Sequence, residues 1–561
     1  MLNPARFAVI LLTWYFSPLF YYYWIYSILN LYDEVGRCGL WAVGRGLWVV
    51  GCGLWVARFI FHAIKKMISI CYISIGNINY LSIMKLIRFP LMLERSQLDH
   101  KDYQEEGVSW CCDNELAGHA GGIIADEMGL GKTITMIGVL LENFRTRTLV
   151  VLPVALIEQW AAQVYKLVGH KPLIYHGRGK NVDMETILKA PLVLTTYGMI
   201  NINPKKAEVE RAASLLHKIR WDRVIFDEAH HMRNSRAGRH VGASMLQTEI
   251  RWLVTGTPVQ NKKRDFYSLC MLLKKTPGEV VERFMLRRTK AQVGVSIPVL
   301  NAHSSSVAWT HEGEKELAEE IHSALHFSNV SVEKSSLIGK MICDTEDDNK
   351  RRLVMLMRAK QSCTLPLLIA PQIQRLIDTG IIDRDHPFSQ AMQCSSKMDA
   401  LVDCVVARKS NGNGKLIFCT YRQEIEMVAN LLREEGMIVA TLDGRTKKKA
   451  RSEICSGNSN YQAVVLQIQT CCEGLNLQAQ FSEVYFMTPH WNPSIEDQAV
   501  ARCHRIGQTK PVEVFRFAMS AHAFMPTKDS VLRPITFDNH VVCVQDSKRV
   551  LSCEVLLDVA A

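Results

Sequence analysis

Two short stretches carry residue types that, at their spacing, handle phosphate. In Asp126-Glu-Met-Gly-Leu-Gly-Lys-Thr133, the apolar pair Ile123 and Ile124 leads into a glycine-containing loop that turns directly into the apolar run Ile134 to Leu141. A strand, loop and helix in that order present backbone N–H groups at a helix N-terminus to an anion. Gly129 and Gly131 permit the inward turn, Lys132 brings a charge to the β- and γ-phosphates, and Thr133 offers a hydroxyl to Mg²⁺. Asp126 stands where the general pattern has a glycine, five residues before Gly131. The second stretch, Arg223-Val-Ile-Phe-Asp-Glu-Ala-His230, runs apolar residues into two adjacent carboxylates. Asp227 would hold Mg²⁺ through water, and Glu228 would orient or deprotonate an attacking water. Either half alone reads equally as a strand end with solvated charges. The two in this order point to nucleotide hydrolysis.

Other residues could complete such a site. Gln104, on a short helical stretch from Tyr103 to Trp110, has an amide that can donate and accept at an adenine edge, although an exposed helical glutamine is the plainer reading. Gln498, Arg502 and Arg505 are spaced four and three apart, so they share one face of a helix spanning Glu496 to Arg505. That half of the chain has no cradle of its own. Arginines there suit a clamp on a phosphate held elsewhere.

Positioning these groups requires a parallel sheet. Thr148 to Pro153, Pro191 to Tyr197 and Trp252 to Asn261 are short β-rich runs alternating with helical stretches, the arrangement that sets functional groups at strand carboxyl ends. Thr195, Thr196, Thr255 and Thr257 then fall on the ligand face, with capping of the following helices as the plainer account. A second copy of the plan begins near Ser395, with strands at Lys415 to Thr420, Met437 to Leu442, Ala463 to Ile468 and Val484 to Met487.

The chain's 561 residues exceed what one core can organise. Lysine and arginine outnumber aspartate and glutamate 66 to 55, a formal charge of +11 and a modest lean toward a polyanionic partner. The 17 cysteines are scattered and include no Cys-x-x-Cys, which argues against a zinc ribbon or finger and for reduced thiols in an intracellular compartment. Phe7 to Tyr32 contains no charged residue and is long enough to span a bilayer, and a Gly-Leu-Trp triplet recurs at 39, 46 and 53. Three readings of this region stay open: a membrane anchor, a structural hydrophobic module, or sequence outside the mature protein.

Taken together, Gln104 with Gly107 and Trp110, Asp126 to Thr133, Asp227 to His230, Thr255 to Asn261, Leu286 to Lys290, Glu473 to Leu477 and Gln498 to Gln508 resemble the ordered motif series of the Swi/Snf-type ATPases. These are double-stranded-DNA translocases of helicase superfamily two, and the wording around Trp491 to Pro493 and Gln508 to Val512 is most similar to the repair-associated branch. The resemblance covers roughly residues 95 to 517. It implies an α/β fold of two tandem RecA-like P-loop NTPase lobes preceded by a hydrophobic N-terminal segment. The divisions would be a hydrophobic segment at 1–94, an ATP-binding lobe at 95–290, a helical linker at 291–394, a C-terminal lobe at 395–520 and an unassigned tail at 521–561.

It further implies ATP and Mg²⁺ as ligands. Gln104 would read adenine; Asp126, Glu127, Met128, Gly129, Leu130, Gly131, Lys132 and Thr133 would form the nucleotide loop; Thr133 and Asp227 would serve the metal. Glu228 would serve water, and Arg502 and Arg505 would reach the γ-phosphate from the opposite lobe. His230 and Gln260 would couple nucleotide to lobe closure. Thr195, Thr196, Gly474 and Asn476 would touch the backbone of double-stranded DNA, without sequence preference and with steep salt dependence. Chromatin or repair proteins are the implied protein partners, and the nucleus the implied compartment.

Three departures bear on this. Between Asn261 and Leu286 the chain has only about two dozen residues, which leaves the first lobe short of material to close it. Cys471 and Cys472 stand where small residues suit a tight turn. From Ala518 to Ala561 the pattern is weak and no bracing helix is recognisable. Two other outcomes therefore stay open: a relative that has lost catalysis and only binds DNA or protein, and a membrane-anchored ATPase if residues 7–32 are retained.

Overall fold

The computed structural model describes residues 88–203, 214–323, 325, 348–455, 460–471, 475–521 and 536–558. The apolar runs become strands because β-branched and aromatic residues fit a pleat buried on both faces, as in a parallel sheet covered by helices. The first lobe contains β1 (Gly121–Ile124), β2 (Thr148–Leu152), β3 (Leu173–Tyr175), β4 (Leu192–Thr196), β5 (Arg220–Asp227), β6 (Gln247–Val254) and β7 (Met285–Leu286). They lie in the order β3-β4-β2-β5-β6-β1-β7 and every pair is parallel. The loops after β1 and β5 therefore emerge at the same edge, with β6 alone between them.

Helices α1 (Asp102–Leu116), α2 (Lys132–Glu142) and α3 (Ile157–Val168) cover one face, over a core that includes Val108, Ile137, Trp160 and Trp252. The opposite face buries Leu149, Val193, Phe226, Leu253 and Phe266, the last from α4 (Lys263–Leu273). A buried ion pair pins the two layers: Arg223 of β5 donates through Nε to Glu115 of α1 at 2.6 Å, with both side chains at 0% exposure. This fixes β5, and so the acids at its end.

The short stretch after Asn261 does close the lobe, contrary to the expectation from its length. After α4, a turn at Pro277–Glu279 and a π-turn at Val280–Phe284 bury Val280 and Phe284 and deliver β7 alongside β1. A two-residue strand suffices because it needs to satisfy only the exposed edge of β1.

The second lobe is again fully parallel, with β8 (Leu300–Val307), β9 (Gly414–Cys419), β10 (Val439–Leu442), β11 (Ala463–Gln467), β12 (Phe481–Phe486) and β13 (Val512–Met519) in the order β10-β11-β9-β12-β13-β8. Its edge strand β8 comes from the stretch 291–394, and α5 (Asp348–Thr364) seats Met355, Ala359 and Cys363 in the same core. The Cys472 and Gly474 positions lie outside the described residues.

The tail, expected to be weakly patterned, contains a long helix that follows α6 (Pro493–Val500) in chain order: α7 (Phe537–Asp558). Phe537 and Val541 enter the lobe-two core, while Val555, and Leu551 beside it, enter the lobe-one core. The two apolar pairs lie on nearly the same face, but between them that face carries polar Gln545 and Lys548, so no continuous apolar stripe marks the helix. At its start Lys397 and Asp538 form a fully buried ion pair. Among the described residues no helix is long and apolar enough to cross a membrane; residues 7–32 lie outside them.

Candidate nucleotide site

The loop after β1 turns by two left-handed glycines, Gly129 at φ 92° and Gly131 at φ 82°. A Cβ on Gly131 would lie 2.5 Å from Gln104 Nε2, and one on Gly129 would lie 3.4 Å from Arg505 Cβ. Lys132 opens α2 and folds its ammonium back on the loop, donating to the Asp126 carbonyl at 2.8 Å and the Glu127 carbonyl at 3.4 Å. Burial pushes its pKa down, against the pull of the Glu228, Asp126 and Asp227 carboxylates. Thr133, the next residue of the helix, is half-buried.

Gln104 is buried rather than exposed, and its amide donates to the Leu130 carbonyl at 3.1 Å, alongside a bond of the same length from the Tyr103 hydroxyl. The unexpected Asp126 is also explained. Its carboxylate accepts from Arg288 three times, from the backbone N–H at 3.0 Å, Nε at 3.1 Å and Nη2 at 2.6 Å, tying the loop to the chain that follows β7. Glu127 accepts from the Lys290 backbone at 2.8 Å, and Met128 packs against Gly256.

At the end of β5 the Asp227 side chain is buried and held twice: Oδ1 accepts from the Glu228 N–H at 3.0 Å, and Oδ2 from the Trp160 indole N–H at 2.6 Å. Burial pushes its carboxyl up to about 7, the Glu228 charge adds to this, and Trp160 and Lys132 draw it back. Glu228 itself sits at φ 50°, a left-handed conformation that costs a non-glycine residue about 1–3 kcal/mol and persists where surroundings enforce it. Its carboxylate lies 3.3 Å from His230 Nδ1.

From lobe two come the arginines, placed differently from expectation. α6 ends at Val500, so Arg502 and Arg505 lie on the turns beyond it rather than on its face. Arg502 Nε donates to the Gln498 carbonyl in the last turn of the helix at 2.9 Å, and Nη1 to the Leu475 carbonyl at 3.3 Å. Arg505 Nη1 donates to the exposed Asn476 side chain. Burial, with Arg502 adding, pushes the Arg505 pKa down to about 10. The lobes touch here: Lys290 Nζ donates to the His504 carbonyl at 3.4 Å, and the Arg502 charge acts on Lys132.

His230 and Gln260 belong to one line of contacts. His230 Nδ1 is 3.4 Å from Thr255 Oγ1, which accepts from the Thr257 N–H at 3.2 Å; Gln260 Nε2 donates to Thr257 Oγ1 at 3.3 Å. Gln260 Oε1 accepts from Arg233 and, across the lobes, from Asn492 Nδ2 at 3.3 Å. Thr195 and Thr196 are not drawn into the site. Both are buried, Thr195 donating to the Tyr175 carbonyl at 2.9 Å and Thr196 lying 3.3 Å from His176 Nδ1.

A family model for the SNF2-related domain matches residues 103–279, and one for the helicase conserved C-terminal domain matches residues 396–507, in the order of the two lobes. Together they cover more than half of the chain. The chain belongs to the SNF2-related family. As an SNF2-related protein it is a nucleotide-binding, helicase-like, DNA-dependent ATPase with two RecA-like lobes. It is similar to a probable global transactivator of Orgyia pseudotsugata multicapsid polyhedrosis virus, at 27% identity over 78% of this chain and 91% of the viral protein. It is also similar to the DNA excision repair protein ERCC-6-like of Danio rerio, at 26% identity over 78% of this chain but 36% of that protein. A solved Sulfolobus solfataricus SWI2/SNF2 ATPase core in complex with dsDNA aligns at 22% identity with a TM-score of 0.34, covering 75% of this chain and 88% of that one.

Two contributors to this SNF2-related site were not assigned from sequence. Arg288 lies in the stretch Leu286 to Lys290, whose resemblance marked it without giving it a task. Trp160 sits on an amphipathic helix where an aromatic residue reads as core. Only a buried carboxylate lacking donors could have suggested either partner.

Proposed function

We propose that this chain is an ATP-driven translocase on double-stranded DNA, whose lobes close around nucleotide and reopen with hydrolysis as one lobe advances along the duplex. One observation carries the reading. The loop Gly129 to Thr133, whose Lys132 feels the charges of Asp227 and Glu228, meets lobe two near enough for Arg505 to pack on Gly129 and for Arg502 to act on the same lysine. The functional divisions would follow 95–290 and 395–520, with β8 lent to the second lobe by 291–394.

In this reading Lys132 neutralises the β- and γ-phosphates, Glu228 takes the proton of the attacking water, and Arg502 and Arg505 stabilise charge on the transferring group. Mg²⁺ fits the residues present, because the Thr133 hydroxyl and Asp227 carboxylate are hard oxygen donors and a buried carboxylate beside a second, partly exposed one is relieved by a cation. Bound there, it would neutralise phosphate charge. Gln104 supports the loop beside the base, and the line from His230 to Gln260 and Asn492 passes the state of the site to lobe two. Asn476 and Gly474 would contact the DNA backbone; Thr195 and Thr196 could do so only after breaking their bonds to Tyr175 and His176. Relatives named as DNA repair and chromodomain-helicase proteins support a nuclear setting with repair or chromatin partners.

The test is ATP hydrolysis by the full chain with duplex DNA, single strands or no DNA, with Lys132→Ala as blank. Stimulation by duplex beyond that by single strands is expected, together with displacement of a third strand from a triplex. A rate equal to the blank in folded, DNA-binding protein would overturn the reading.

A further inference from the structure

Lobe one buries three tryptophans whose indole N–H groups each find an acceptor. Trp221 donates to the Leu216 carbonyl at 2.9 Å and Trp252 to Glu115 at 2.8 Å, both within the supporting layers. Trp160 differs in what it reaches. It is 1% exposed on α3, packed in the core with Ile157 and Val164, and it donates across 67 residues of sequence to Asp227 Oδ2 at 2.6 Å.

The other holds on Asp227 are of a different kind. The Glu228 N–H on Oδ1 is main chain, and the Tyr197 hydroxyl, at 2.7 Å, meets the Asp227 carbonyl rather than its carboxylate. The indole is thus a side-chain contact that sets how the carboxylate is turned about its own axis. A packed indole has no freedom to follow a rotating carboxylate, so one oxygen stays fixed on α3 while the Lys132 charge acts on the same carboxylate.

We infer that Trp160 is a positioning residue for the metal: its indole N–H holds the Asp227 carboxylate in the orientation that meets Mg²⁺ beside Lys132. The inference rests on the proposed metal role of Asp227. Partners that orient a metal-ligating group typically contribute about 10–100-fold to metal affinity. A phenylalanine at this position keeps most of the core packing and removes the donor.

The experiment is equilibrium binding of fluorescent ADP to the full chain, titrated with Mg²⁺ and repeated in EDTA. Trp160→Phe should raise the Mg²⁺ concentration needed for tight binding about 10–100-fold while leaving affinity in EDTA unchanged, which a merely loosened core would not do. Asp227→Ala should remove the Mg²⁺ response, and adding Trp160→Phe to it should change nothing more. If Trp160→Phe responds to Mg²⁺ as the parent does, or weakens binding equally with and without Mg²⁺, the inference is overturned while Asp227 keeps its role. If Asp227→Ala retains the Mg²⁺ response, the metal reading of Asp227 falls first. Trp160→Tyr replaces Trp160→Phe should the latter fail to fold.

Discussion

The two lobes share a sheet plan and hold their chemistry in opposite ways. In lobe one each functional group is pinned by buried donors or acceptors: Asp227 by two N–H groups, Asp126 by Arg288, Lys132 by two carbonyls. In lobe two the arginines sit on turns, Arg502 on two carbonyls and Arg505 on an exposed asparagine. Duplicating a fold did not duplicate a site. In the proposed function one lobe would be a preorganised template, and the other would bring charges whose position depends on how the lobes meet.

The sharpest way to break that contrast is Arg505→Ala. If lobe two supplies only transition-state charge, kcat should fall about 10³-fold or more with ATP affinity little changed, as for other arginine fingers; a collapse of ATP affinity would make Arg505 part of the template instead. Next comes Glu228→Gln, which should slow turnover about 10²-fold or more and leave ATP bound and unhydrolysed. Retained turnover would mean that the strained acid at φ 50° is not the base.

A smaller effect concerns how lobe two is secured. Burial holds the His322 ring down at about 4 from an ordinary 6.5. Its Nε2 accepts the Phe537 N–H at 2.9 Å at the start of α7, a bond that requires the neutral ring. With the folded value depressed, this stabilisation is complete above pH 6.5 and is lost as pH falls toward 4, about 3 kcal/mol in all. Thermal melting between pH 7 and 4.5 should therefore decline more steeply in the parent than in His322→Gln. Parallel slopes would detach His322 from the docking of α7.

What could be read from sequence was the part that carries chemistry in adjacent residues. The glycine loop, the Asp227–Glu228 pair at a strand end and the parallel sheets follow from local spacing and apolar runs; the shared helical face read for Arg502 and Arg505 does not, because the helix ends at Val500. Pairings between distant segments did not show. Arg288 reaches Asp126 across 162 positions and Trp160 reaches Asp227 across 67, and neither residue type announces a partner. Thr195 and Thr196 stand at a strand's carboxyl end, but position on a strand does not name their partners, the Tyr175 carbonyl and the His176 ring. α7 was missed because the face that joins its two apolar ends carries Gln545 and Lys548, which breaks the apolar stripe.

That last feature sets a scale for lobe separation. α7 is a single helix of 22 residues, about 33 Å from end to end, anchored in lobe two by Phe537 and Val541 and in lobe one by Val555. If the lobes part while the helix stays with lobe two, Val555 must leave its seat, at a cost of about 1.5–3 kcal/mol. That single valine would thin the population of separated molecules by about ten- to a hundredfold, a bias that any ligand favouring the separated arrangement would have to outweigh.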